Sequence, residues 1–170
     1  MKIKDIPQLT RSANYRVNQD WNYLIETIKR YSDKDLCPLD IDPDFQRGHV
    51  WTEQQQIAYV EFKLRGGSGS NELQFNCPGW MNDFRGPFVL VDGKQRLTAV
   101  MKFLNNELPI FDGHYFKDFE GSVSFNVDFV FHINDLSTME DVYKWYIELN
   151  SGGTPHTKEE LDKVKKMLKK

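Results

Sequence analysis

The chain has 170 residues, 39% of them hydrophobic and 28% charged, a length and balance that predict one globular domain with a substantial core and exclude a second full domain or general disorder. Its 22 basic and 25 acidic residues leave a net charge of -3, so there is no bulk basic surface for nucleic acid and any contact with DNA has to come from a local patch. No apolar run reaches the roughly 18 to 20 residues of a membrane span, and the N-terminus lacks the apolar stretch of a secretory signal, which predicts a cytoplasmic protein with no membrane partner.

In chain order, Trp21, Leu24, Ile25 and Ile28 recur at the spacing of one buried helix face, which predicts a helix over Asn18 to Tyr31 with Asp20 near its start. The run from Cys37 to Asp44, with prolines at 38 and 43, reads as a short extended edge segment and a turn. Thr52 and Gln55 form a capping box that opens a second helix. Ile57, Val60, Leu64 and Phe62 are its expected buried stripe, and it should stop at Gly66-Gly67. The Gly and Ser residues from 66 to 70 predict a flexible connector.

Leu73-Gln74-Phe75 alternates like a strand, and Phe88 to Val91 is a continuous apolar run expected to be a central strand buried on both faces. Helical spacing resumes at once with Leu97, Val100, Met101 and Leu104. The polar string Asp92-Gly93-Lys94-Gln95-Arg96 therefore falls at a strand-to-helix junction. From Val123 to Ile133 apolar residues alternate with mainly polar ones, predicting an antiparallel strand wetted on one side. Ser137 and Glu140 cap a helix carrying Val142, Trp145, Tyr146 and Leu149, which Asn150-Ser151-Gly152-Gly153 ends. A basic helix over 157–170 follows, capped by Thr157 and Glu160. The expectation is a single domain over 1–170 with its core at about 15–161.

The junction at Asp92 to Arg96 draws the chemistry. A helix that starts directly after a strand presents free backbone amides and the positive end of its dipole, where an anion can sit. Lys94 and Arg96 stand in the first turn, where a cation loses about 0.3 to 1 kcal/mol to the dipole, so a negative group is expected beside them. Asp92 is one source. The other is a ligand phosphate gripped by Arg96, with Lys94 as a point charge and Asp92 orienting Arg96 or reaching a Mg2+. Arg47, next to Gly48, reads either as a second ligand cation or as the structural partner of Asp42 or Asp44. Asn150 with its glycines reads as an amide nest or as a plain helix stop. Cys37 and Cys77, with no Cys-x-x-Cys, support neither a disulfide framework nor a zinc site, and no protein-borne metal cluster is expected.

Three stretches taken together resemble the N-terminal domain of GmrSD-type restriction systems, which attack modified foreign DNA. They are Phe45-Gln46-Arg47-Gly48-His49-Val50-Trp51, Val91-Asp92-Gly93-Lys94-Gln95-Arg96-Leu97 and Leu149-Asn150-Ser151-Gly152-Gly153. The resemblance implies an α+β fold with a ParB/sulfiredoxin-like core, a small mixed sheet with packed helices. It also implies that Asp92, Gly93, Gln95 and Arg96 form a nucleotide motif for GTP, ATP or CTP, with Arg47, Lys94 and Asn150 in the same pocket. Asp92 and Arg96 are the implied catalytic pair for NTP hydrolysis, with Mg2+ on the phosphates. Lys94 stands where the family usually has Gln and adds charge; Glu148 stands where many members have Arg and removes a cation.

In such systems a His-Asn-His-like nuclease cuts the DNA, and none of His49, His114, His132 and His156 lies in that motif, so cutting is expected to need a separate nuclease chain. Two other readings stay open. One is a non-enzymatic module that binds DNA or a partner protein. The other is a metal-dependent endonuclease using Asp92 with Asp44 or Glu61, in which Pro43-Asp44 and Glu61-Phe62-Lys63 imitate a nuclease motif. Residues 61 to 63 fall in a predicted helix, where neighbours two apart diverge.

Overall fold

Strands β1 (Tyr15–Asp20), β2 (Glu72–Asn76), β3 (Val89–Asp92) and β4 (Asp128–Asn134) form a mixed sheet in the order β1–β4–β2–β3. The computed structural model describes residues 2–6, 15–33, 37–46, 48, 50–81, 86–124, 126–151, 164 and 166–167. Helices α1 (Leu24–Tyr31), α2 (Glu53–Leu64), α3 (Lys94–Leu104) and α4 (Met139–Ser151) accompany the sheet, which makes the fold α+β. β4 runs antiparallel to β1, with Val17 opposite Phe131, and parallel to β2, with Leu73 also beside Phe131. β2 and β3 are antiparallel, with an irregularity between Gln74 and Phe75.

Alternation along the strands sorts their side chains into two cores. On one face Leu73, Phe75, Leu90, Phe129, Phe131 and Ile133 pack with Trp21, Leu24 and Ile28, with Val60 of α2, and with Leu97, Val100 and Phe103 of α3. On the other, Val89 and Val91 join Phe45, Leu136 and the α4 residues Val142, Trp145 and Tyr146. β3 is thus buried on both faces, as its unbroken apolar run requires. It is nevertheless the last strand of the sheet rather than a central one. Its outer edge is covered by the extended segment around Asp40, whose amide donates to the Phe88 carbonyl (3.0 Å) and whose carbonyl accepts from Leu90 (2.8 Å). Backbone groups left open at that edge are satisfied by Asp40 and by the Gln46 side chain, which donates to the Leu90 carbonyl.

Several expectations need correction. Residues 18 to 20 are strand, not helix: Asp20 accepts from the Asn22 amide (2.8 Å) and turns the chain through a short 3-10 segment, Trp21–Tyr23, into α1. β4 begins at Asp128 rather than Val123, pairs parallel on one side, and has Val130 and Asn134 buried on the face expected to be wet. The cap of α4 lies one residue later than expected, where the Thr138 hydroxyl accepts from the Asp141 amide (3.2 Å) and donates to its carboxylate (2.8 Å). The basic helix over 157–170 lies mostly outside the described residues; Val164, which is described, is fully buried against the α4 cluster.

The capping box of α2 forms, with Gln55 Oε1 accepting from the Thr52 amide (2.8 Å) and Thr52 Oγ1 from the Gln55 amide (3.3 Å). Its buried face differs from the apolar stripe: Gln56, Tyr59, Val60 and Lys63 are buried, whereas Phe62 is 49% exposed. Those polar side chains satisfy loop carbonyls. Lys63 Nζ donates to Gly67 (2.9 Å) and Gly69 (3.2 Å), and the Tyr59 hydroxyl donates to Ser70 (2.6 Å). The glycine-serine loop, expected to be a flexible connector, is fastened at three points.

Burial raises the Tyr59 phenol above its ordinary value, with the Arg96 charge offsetting part of the shift. A group whose folded value is raised contributes its stability below the unfolded value, near pH 10, and loses it as pH rises further. Urea unfolding between about pH 8 and pH 11 should therefore show stability falling above pH 10. Tyr59→Phe should be about 1 kcal/mol less stable at the lower pH and lose less on the alkaline side.

Candidate functional site

At the end of β3 the chain reaches Asp92 and then Gly93, which caps α3 with φ of 102° and no side-chain hydrogen bond. Glycine is required twice over. The left-handed backbone disfavours any side chain, and a Cβ would lie 2.3 Å from Leu73 Cδ2 and 3.4 Å from Leu73 Cα. The close packing of this turn on β2 puts the first turn of α3, whose leading amides have no acceptor within their own helix, at a cleft of about 280 Å3.

Asp92 to Arg96 form the floor of that cleft, Gln46 and Trp51 line it from the preceding loop, and Tyr146 and Asn150 line it from α4. Of the residues expected from sequence, Asp92, Gly93, Lys94, Gln95, Arg96 and Asn150 come together here. Arg47 lies outside the described residues, as do Gly152 and Gly153.

Both cations hold carboxylates. Arg96 Nη2 donates to Asp92 Oδ2 across one helical turn (2.7 Å), while Arg96 Nε is buried without a hydrogen-bond partner in the described structure. Lys94 Nζ pairs with Asp42 Oδ1, reaching in from the loop after Asp40. The internal negative group expected beside α3 is thus present in two copies, and Asp42, matched to Arg47 by proximity in sequence, serves Lys94. These four side chains sum to zero formal charge.

Gln95 points elsewhere. Its Oε1 accepts from the Val50 and Trp51 amides (3.1 Å each) and its Nε2 donates to the Gly48 carbonyl (3.3 Å). Two further glutamines hold the same loop: Gln46 Nε2 donates to the Leu90 carbonyl (2.5 Å) and Gln56 Nε2 to that of Trp51 (3.1 Å). Gln46, Gly48, Val50 and Trp51 are thereby strapped to β3, α3 and α2, with the Trp51 ring 5.4 Å from that of Tyr59. Asn150 lies within α4 rather than at its end, its Nδ2 donating to the Tyr146 carbonyl one turn back (2.8 Å), and it borders the cleft.

Sequence reading missed Asp42, Gln46 and Tyr146 as site residues. Gln46 stands inside the Phe45–Trp51 stretch, a signal that could have found it, whereas Tyr146 falls on the apolar stripe of a helix and carries none. Of the alternative metal carboxylates, Glu61 lies on α2 outside the cleft, accepting from the Phe111 amide (2.7 Å) with Arg65 nearby at 3.7 Å. Lys63 serves the glycine loop. Among the described residues no three His, Cys, Asp or Glu side chains come together as a metal site.

Compared with protein-family models, curated proteins and solved structures, the chain matches none. Among the described residues no helix is long and apolar enough to cross a membrane.

Proposed function

We propose that this chain binds a nucleoside triphosphate at the β3–α3 junction and serves as the regulatory module of a GmrSD-type restriction system, its core being ParB/sulfiredoxin-like and DNA cutting belonging to a separate nuclease chain. One observation carries the reading: the left-handed Gly93 turn, the open end of α3, Lys94 and Arg96 all face one cleft that Asn150 of α4 also borders. A turn of backbone amides flanked by a planar guanidinium and an ammonium suits phosphate oxygens better than any uncharged ligand. The unpartnered Arg96 Nε leaves donor capacity beyond the Asp92 pair.

On this reading Arg96 takes phosphate oxygens while retaining Asp92 as its orienting partner, and Lys94 supplies a point charge. Asp92, half-exposed beside the cleft, is the carboxylate able to reach Mg2+ carried on the phosphates, since such ions need only one or two protein carboxylates; when bound, the ion would neutralise phosphate charge. Hydrolysis would be driven by electrostatics, with Arg96 and Lys94 stabilising charge that develops on the transferred group and Asp92 orienting water.

Isothermal titration with GTP, ATP and CTP tests the binding. The wild type should take up at least one of them, and Arg96→Ala should weaken it roughly tenfold to a hundredfold, the worth of charge-assisted hydrogen bonds. Absence of heat from all three with the wild type refutes the assignment.

A further inference from the structure

The partner of Lys94 is unequal to it in one respect. Lys94 is held within the cleft, its side chain 11% exposed, whereas the Asp42 side chain is 74% exposed on a surface loop. That loop is shaped without the pair: the Asp42 amide donates to Asp40 Oδ1 (2.9 Å), the Gln46 amide donates to the Pro43 carbonyl (2.9 Å), and Asp40 is anchored on β3. The other carboxylate, Asp92, is fixed at a strand end opposite Gln74 and meets an arginine one turn along its own chain. Asp42 alone can leave its cation for water without disturbing the strand and helix that build the site.

We propose that Asp42 is a tethered competitor at the site, a carboxylate that occupies the phosphate position on Lys94 and has to be exchanged for the incoming ligand, so that it sets the affinity an anion must reach to bind. The inference rests on the reading of the cleft as a phosphate site. Exchange of one carboxylate for another gains nothing, and a singly charged anion gains little. A polyphosphate brings several negative charges to Lys94, Arg96 and the α3 amides together, so it outcompetes the tether. One uniform penalty thus removes weak anions from the site and leaves di- and triphosphates bound. Release of Asp42 is inexpensive, because an ion pair with one partner mostly in solvent is held weakly.

Calorimetric titration of inorganic phosphate, pyrophosphate and triphosphate, in EDTA, into the wild type and Asp42→Asn reads the effect directly. Glu107→Gln, an exposed acid beyond the far end of α3, removes the same charge from the molecule without touching the cleft. Asp42→Asn should bind triphosphate and pyrophosphate roughly twofold to fivefold more tightly than Glu107→Gln, the range expected for losing an exposed pair, and should bring inorganic phosphate closer to detection. Unchanged or weaker binding in Asp42→Asn, with the wild type binding triphosphate, overturns the tether and leaves the phosphate site standing. No binding of any polyanion by either protein overturns both. Binding by Asp42→Asn alone would mean that polyphosphates do not displace Asp42 from Lys94 in the wild type, and it overturns the exchange.

Discussion

Replacing Gly93 by alanine should lower stability by about 3 kcal/mol, with roughly 1 to 2 from forcing a side chain into the left-handed region and 1 to 3 from overpacking. For a chain of this size the melting temperature should fall by about 6 to 12 °C. The added carbon meets Leu73 Cδ2 at 2.3 Å, and that side chain is fully buried in the core, so it can give way only by disturbing its neighbours. The added carbon also stands 3.2 Å from Arg96 Nη2, so the guanidinium shifts from Asp92 and the variant should lose polyphosphate binding under conditions where it is still folded. Gly48→Ala is the matched control. Its added carbon meets nothing within 4 Å, and its melting temperature should change little. Equal melting of the two variants would contradict the packing described for the turn.

Asn76→Ala should cost about 3 to 5 kcal/mol, since it orphans three buried backbone groups at once. Asn76 is fully buried, and its Nδ2 donates to the carbonyls of Pro87 (3.1 Å) and Leu136 (2.9 Å) while Oδ1 accepts from the Leu136 amide (2.8 Å). One side chain thereby joins the end of β2 to the approach to β3 and to the exit from β4. No water replaces these bonds without a cavity, and alanine leaves only a small one. Urea denaturation should show a lowered midpoint with an unchanged slope. Asn105→Ala, at the exposed end of α3, should shift the midpoint by no more than about 0.5 kcal/mol. A loss at position 76 as small as that would mean that the three bonds do not hold the strand ends together.

What the sequence made legible was local. The Thr52 and Gln55 cap, the Asp92-Gly93 punctuation between an apolar run and a helical period, and the repeat through Leu97 and Val100 all act within a few residues. The structure places each where it was expected. What escaped depends on partners far along the chain. β3 reads as central because it is buried on both faces, but its edge is covered by Asp40 and Gln46, both more than forty positions earlier. β1 was hidden because the helix period from Trp21 to Ile28 swallowed its last residues, and only pairing with β4 reveals them. Gln56 and Lys63 defeat any hydropathy pattern, since they are buried in order to reach backbone carbonyls.

The candidate site divides in the same way. Lys94 and Arg96 at the start of a helix announce that negative charge is near, and the structure supplies Asp92 from four residues away and Asp42 from 52 away. Gln95 lies inside the motif and looks like a ligand, yet its contacts run to the backbone of Gly48, Val50 and Trp51. Spacing alone does not distinguish a side chain that meets a ligand from one that holds the loop beside it.

The strand order carries a consequence for synthesis. Of the described strands β4 is the last to leave the ribosome, and it inserts between β1 and β2, so this sheet cannot join its two halves until β4 has emerged. A nascent chain shorter than that holds β1 with no neighbour and the β2–β3 pair with an open flank, both exposing edges on which other chains can pair. Truncation before β4 should therefore leave fragments with open strand edges rather than a smaller complete sheet.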